Sequence, residues 1–165
     1  MKATNTSRLE SELYGASIAG VDVSVVVNTA VSKAVSDALI SLNNNSTVDV
    51  LNDLNIISQT GGINTINNVV VGSVGVYSAD GNYQKAESNA TFNSGIAGGK
   101  INANNVKINA GTAKDSDEGG NITATVNTKE ATGALYSFGT TVVDARANGN
   151  ANAQITGGNV TAKNK

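Results

Sequence analysis

The sequence predicts an all-β protein whose strands coil into a stack of parallel layers, a β-solenoid. Its apolar residues, mainly Val, Ile and Ala, alternate with polar residues in runs, and a period of two is typical of strands. Similar stretches recur at intervals of 52 to 59 residues, as expected for a repeat array. The 24 Asn and 18 Gly supply turns, and the absence of Pro leaves every backbone N–H free to donate in a ladder.

Residues 98–110 are the clearest copy of the repeat, and they predict a strand, a corner and a second strand. Two alternating runs flank Asn104-Asn105. Asn suits a sharp corner because it tolerates left-handed backbone angles and can bond its own main chain. We expect one set of side chains to point inward (Ile101, Val106, Ile108) and another to point outward (Lys100, Asn102, Lys107, Asn109).

Residues 46–58 and 157–164 repeat this pattern. Ile101 follows Val48 by 53 positions, and Val160 follows Ile101 by 59. Each copy comes after a longer alternating run, at 19–28, 68–78 and 135–147. We therefore expect a single solenoid segment, part of a longer repeat array, with units at about 15–58, 63–110 and 133–165. Because a solenoid rung takes roughly 18–25 residues, each unit predicts about three rungs and the chain about eight.

The stretch between the first long run and the first corner, residues 29–42, allows two interpretations. Apolar residues there fall at helical spacing (i, i+4, i+7, i+8 and i+11), which predicts a short helical insertion near 30–42 (Val31, Val35, Ala38, Leu39, Leu42). The alternative is two short strands, because residues 85–92 occupy the equivalent place in the second unit and have no such apolar face.

Three polar stretches predict interruptions of the strands. Residues 79–85 predict a loop because Asp80-Gly81 is a turn signal. Residues 114–120 predict a second loop, followed by a strand at 121–127. The polar head at 2–12 is predicted to be partly frayed.

Composition excludes several classes of function. The net charge of −2 and pI of about 5.0 lack the basic footprint of a nucleic-acid-binding protein. The chain has no His and no Cys, which removes the commonest general base and the thiolate nucleophile. No apolar run reaches the roughly 18 residues of a membrane-spanning helix, so this segment is not expected to insert into a membrane. No cofactor is predicted.

The chain resembles the repeat region of large bacterial filamentous adhesins, the leukotoxin-like and filamentous-haemagglutinin-like secreted exoproteins. The resemblance covers nearly the whole chain and is carried by VDVSVVVNTAVSKAVSDALISLNNNSTVDVLNDLNIIS, GGKINANNVKINAGTA and ITGGNVTAKN. It implies a right-handed parallel β-helix that forms the shaft of an exported passenger, located outside the cell or at the bacterial surface. The general right-handed rule for parallel crossovers implies the same hand.

Two functions follow from these observations. The first is a structural shaft segment that supports adhesion by presentation, with weak contacts to a host-surface protein or glycan and self-association through open solenoid ends. The second is a carbohydrate-active β-helix enzyme, a lyase or glycoside hydrolase, which needs paired acids along a groove. The acidic and basic residues available for it are predicted to be outward strand or corner residues, and no catalytic residue is assigned (Asp22, Asp49, Asp53, Asp144, Arg8, Arg146).

Asp115, Asp117 and Glu118 form the sharpest acidic cluster and are candidate metal ligands. Calcium binds several oxygen ligands at once, but this cluster lacks the later ligands of an EF-hand loop. A solvated surface loop is therefore the favoured interpretation over a metal site.

Tyr77, Tyr83 and Tyr136 are candidates for receptor contact, although packing on a strand or loop is the favoured role. Thr123 and Thr125 alternate as on ice-binding solenoid faces, but one pair does not make an array. Matches to the N-glycosylation pattern are expected by chance in an Asn-rich and Thr-rich chain, and they include Asn45, Asn89, Asn121 and Asn159.

Overall fold

The structure is a computed structural model that describes residues 2–111 and 121–163. These residues form eight β-strands and no helix, so the all-β prediction is confirmed. The strands are β1 Lys2–Ile18, β2 Val21–Ser41, β3 Thr47–Asp49, β4 Leu54–Ala97, β5 Lys100–Ala103, β6 Val106–Gly111, β7 Ile122–Thr156 and β8 Asn159–Ala162.

All strand pairs are parallel and join residues one repeat apart. Val48 pairs with Ile101, and Ile101 pairs with Val160, at the separations that the sequence repeat predicts. Stacking in this register divides the described chain into three layers, at 2–53, 54–105 and 106–163. The eight expected rungs are not confirmed, because each repeat unit supplies one layer. The strands are much longer than those of a short rung, and β4 alone has 44 residues.

Each layer has two long arms and one short side. In the second layer the first arm is residues 54–74, the second arm is residues 77–97, and β5 forms the short side. The arms contact each other through side chains: Thr65 Oγ1 lies 2.7 Å from Ser88 Oγ across the layer. At the narrow end, where the arms meet, Ser73 Oγ lies 2.9 Å from Ser78 Oγ. Backbone hydrogen bonds instead run between layers, which is how parallel ladders satisfy their polar main chain.

Residues 29–42 do not form a helix, and β2 covers all but the last of them in one strand. Ala30, Ala34 and Ala38 are buried, whereas Val31 and Val35 are exposed on the outer face. A spacing of four residues fits a strand as well as a helix, since four is a multiple of two. Pairing with the second layer decides between them.

The predicted loop at 79–85 and the predicted frayed head at 2–12 are also wrong. Residues 79–85 lie inside β4, where they pair with both neighbouring layers. The head forms most of β1 and pairs with β4. Neighbouring layers supply hydrogen bonds that neither segment can make alone. The predicted strand at 121–127 is confirmed from Ile122 onward within β7, and the predicted loop at 114–120 lies outside the described residues.

The core contains two apolar clusters between the arms. One is formed by Ala34, Ile63, Ala90 and Phe92, and the other, at the short side, by Ala38, Ile56, Ile96 and Ile101. Ile and Ala are therefore inward, as expected. The valines of the first long run face outward instead (Val21, Val23, Val25, Val27).

Candidate functional site

The corners beside the short side are held by amide ladders. Asn102 Nδ2 donates to Asp49 Oδ1 at 2.6 Å, and Asn105 Nδ2 donates to Asp53 Oδ1 at 2.6 Å. Both bonds join equivalent positions of the first and second layers, so they stabilise the stack. Asp49 is an outward strand residue of β3 and Asp53 an outward corner residue, as predicted. Their bonds to the next layer indicate a structural role.

A polar seam lies inside the narrow end of the first and second layers. Asp80, from the second arm, accepts hydrogen bonds from Ser24 at 2.6 Å, Ser78 at 2.7 Å and Ser73 at 3.2 Å. The bond from Ser24 and then that from Ser78 stabilise the charged carboxylate, which lowers the pKa of Asp80 below its usual value. The Asp80 carboxylate thus ties the first and second layers together.

Acidic conditions are expected to loosen the narrow end through Asp80. Because its pKa is lowered on folding, its contribution to stability is complete above the unfolded pKa of about 3.9 and is lost as the pH falls through the folded pKa. We expect the melting temperature to fall on acidification by less in Asp80→Asn than in the native chain. Thermal unfolding at a series of pH values checks this, and Ser24→Ala should show an intermediate dependence. An Asp80→Asn profile that matches the native one would contradict the assignment.

Other members of the seam leave little room for a substrate. Glu130 Oε1 accepts a hydrogen bond from Asn82 Nδ2 at 2.6 Å, and the cavity between Asp80 and Glu130 has a volume of about 20 Å³. This volume suits one water molecule and excludes a sugar ring. Asp22 also lies in this seam, so its predicted outward position is wrong. Its Oδ2 and both amide atoms of buried Gln84 have no hydrogen-bond partner among the described residues.

The outer face of the second arm carries an aromatic ladder. The rings of Tyr77 and Tyr136 stack with centroids 5.2 Å apart and planes at 13°, and the side chains are 51% and 57% exposed. These two tyrosines therefore pack between layers, the role favoured over receptor contact, while the outer edges of their rings remain accessible. Because the rings stack along the layers, their faces do not form an outward platform for a sugar. Beside them an open groove of about 440 Å³ has Ala79 and Gly81 at its centre and Phe138 at its rim.

Charged side chains continue this outer face beyond Tyr83. Lys85 pairs with Glu87, and Arg146 Nε lies 2.7 Å from Asp144 Oδ1 in the next layer. The hydrogen bond to Glu87 raises the pKa of Lys85, and Lys85 in turn lowers the pKa of Glu87. Asp144 is outward, as predicted, and its hydrogen bond raises the pKa of Arg146. All four charges therefore have partners on the exposed sheet.

An open groove with a volume of about 660 Å³ lies on the outer face of the first arm. Glu12 and Tyr14 line it from the first layer, Asn68 from the second, and Asn127 and Lys129 from the third. Asn127 Nδ2 donates to Asn68 Oδ1 at 2.8 Å, which fixes the amides along its floor. The only sequence signal for this groove is the phase of the alternating runs, and that phase does not say which face of a strand points outward.

Several sequence candidates do not converge on a reactive site. Arg8 pairs with Glu10 at 2.9 Å and Arg146 with Asp144, so neither guanidinium joins the acids of the seam. The acidic cluster Asp115, Asp117 and Glu118 lies outside the described residues. Within 2–111 and 121–163, no three His, Cys, Asp or Glu side chains are placed to share a metal ion.

Two further findings bear on function. The described part of the chain contains no helix that is long and apolar enough to cross a membrane. No protein-family model, no curated protein and no solved structure matches the chain. The stacking register and the outer surfaces are therefore the features that bear on its function.

Proposed function

We propose that this chain is a structural shaft segment of a surface-exposed or secreted bacterial adhesin. The observation that carries the proposal is the stacking of each repeat on the next in parallel register, from Lys2 to Ala162. A ladder of this kind is quasi-one-dimensional, and each layer buries its inward side chains only against its neighbours. Length then grows with repeat number, which suits a rod that holds a binding site away from a cell.

The fold that we propose for the shaft is a right-handed parallel β-helix. Support for the hand comes from the rule that parallel strands in one sheet are connected by right-handed crossovers. Support for the shaft comes from the two core clusters, which pack side chains of different layers together, and from the Asn–Asp bonds that join the first and second layers.

Weak surface contacts would be made through the groove on the first arm. Tyr14 offers an aromatic side chain, Glu12 and Lys129 offer opposite charges, and the Asn68 and Asn127 amides offer hydrogen-bonding groups. Binding sites commonly combine apolar area with a few placed polar groups. A host-surface glycan or protein is the ligand class that we propose for this groove.

A display assay tests the shaft function. The chain is placed between a cell-surface anchor and a small binding domain, and a flexible Gly/Ser linker of equal residue number replaces it in the control. A folded shaft should hold the domain at one fixed distance from the anchor, whereas a flexible linker samples a broad range of distances. Single-molecule fluorescence energy transfer between anchor and domain measures this distance, and a distribution as broad for the chain as for the linker would contradict the proposal. Release of soluble sugars from acidic or neutral polysaccharides by the purified chain would instead favour the enzyme.

A further inference from the structure

We propose that copies of this chain associate head to tail, with the third layer of one copy stacked on the first layer of a second copy. β7 pairs with β4 along one edge, and in the described residues no strand occupies its other edge. β1 and β2 likewise pair with β4 alone. Unpaired edges present free N–H and C=O groups that template pairing with another chain. This association does not depend on an adhesin function.

The third layer leaves part of its core uncovered. Val143 lies in register with buried Gln84, and Ile155 lies in register with buried Ile96. Although they occupy equivalent inward positions, Val143 and Ile155 are each 50% exposed. Apolar side chains left open in this way favour burial by another surface.

The contact that would cover them already exists twice within the chain. Ser58, on the first arm of the second layer, donates to Ser36 O on the second arm of the first layer. Ser88 in turn donates to Thr123 O at 2.6 Å, from the second layer to the first arm of the third. Each second arm is thus covered by the next first arm. β1 of a second copy would cover the second arm of the third layer in the same way.

Continuing the same register gives chemically matched neighbours. Within the chain, Tyr77 pairs with Val21 on one side and with Tyr136, on which its ring stacks, on the other. In the same register, the free face of the Tyr136 ring would meet Val21 of the second copy. Ile155 would meet Ile40 of the second copy. Small residues would meet small residues along the rest of the second arm, where Ala145, Ala147, Ala151 and Ala153 would lie over Ala30, Ser32, Ser36 and Ala38.

The charges are also compatible in this register, because no two like charges meet among the paired strands of the described residues. Asp37 of the second copy would meet Asn152, which repeats the bond of 2.7 Å from Asn93 Nδ2 to Asp37 Oδ1 within the chain. Lys33 of the second copy would meet the amide of Asn148. The charged residues of β7 would all meet uncharged neighbours, with Lys129 over Tyr14, Glu130 over Gly15, Asp144 over Thr29 and Arg146 over Val31.

Such a contact is heterologous, since the two joined surfaces differ, and it does not close on itself. Association should therefore continue into rods of increasing length instead of stopping at a dimer. Heterologous growth makes the sedimentation coefficient rise steadily with protein concentration.

Adjacent valines on β7 allow a matched test. Val143 faces inward and Val142 faces outward, and both are 50% exposed. Val143→Lys would place a charge against the second copy, so we expect at least about a tenfold weaker association in sedimentation velocity, which corresponds to 1.4 kcal/mol. Val142→Lys should assemble like the native chain. A native chain that stays monomeric or forms only closed dimers, or a Val143→Lys variant that assembles normally, would overturn the proposal.

Disulfide trapping tests the register and does not depend on how Val143→Lys folds. The native chain has no Cys. In the double variant Lys33→Cys/Asn148→Cys, the cysteine at 148 of one copy and the cysteine at 33 of the next copy would lie one layer apart, about 4.8 Å, which is within disulfide reach. Within a single chain the second layer lies between the two cysteines, so they are roughly twice as far apart. Mild oxidation should yield a ladder of covalent oligomers on a non-reducing gel. Asp37→Cys/Asn148→Cys, four residues out of register, should not. The opposite result, or no ladder from either variant, would overturn the register.

Discussion

Phe92→Ala is expected to lower the free energy of unfolding by about 3–5 kcal/mol, as for other buried phenylalanines. Phe92 is only 2% exposed and packs against Ala34, Ile63 and Ala90 in the middle of the stack. Its neighbours in the adjacent layers are Ser36 and Ala151, which are too small to fill the space that the ring would leave. Denaturant unfolding followed by circular dichroism measures the loss as a lower midpoint.

The second phenylalanine of the chain supplies the control. Phe138 is 73% exposed on the outer face, so Phe138→Ala should change stability by no more than about 0.5 kcal/mol. The two variants remove the same atoms from opposite faces of the sheet. Equal losses would mean that the inward and outward faces of the second arm are assigned wrongly.

Gly98→Ala is expected to destabilise the chain by roughly 2–5 kcal/mol, from backbone strain and a steric clash together. Gly98 has a φ of 70°, which L-residues with a side chain rarely adopt. A Cβ at this position would also lie 2.3 Å from Leu42 O in the first layer. That carbonyl belongs to the backbone of the first corner, so it cannot move without disturbing the stack.

Gly157 separates the two causes, because it is the equivalent corner residue of the third layer. Its φ is 62°, but a Cβ there would have no neighbour within 4 Å. Gly157→Ala should therefore cost only the strain, about 1–2 kcal/mol. Thermal or denaturant unfolding of both variants gives the difference. If Gly98→Ala were no worse than Gly157→Ala, close packing of the corner on Leu42 would be excluded.

Predictions from sequence were most accurate where the repeat itself carries the information. Val48, Ile101 and Val160 align by residue type alone, and the same residues pair in the structure. The strand, corner and strand at 98–110 also follow from local chemistry, because Asn favours corners and alternation favours strands. Phe92 was not singled out, since its neighbours in sequence, Thr91 and Asn93, give no sign of a core.

Errors arose where a local signal competed with contacts between layers. Asp80-Gly81 is a strong turn signal, yet three serine hydroxyls hold Asp80 inside a strand. The number of layers was overestimated for a related reason. Eight rungs follow from a rung of roughly 18–25 residues, whereas the strands of this chain are longer. No residue pattern within β4 indicates where the strand ends.

The sequence by itself determined the strand content, the repeat length and the corner at Asn104-Asn105, because period, propensity and turn chemistry are local properties. The tertiary structure decided how many residues form one layer and which face of each strand is buried. Alternation has only two phases, and no single strand distinguishes them. The rest of the layer and its neighbour do: Ser73 of the opposite arm, with Ser24 and Ser78, holds Asp80 inward, and in the same phase Asp22 is buried while Val21 and Val23 are exposed. The open groove on the first arm follows from that choice.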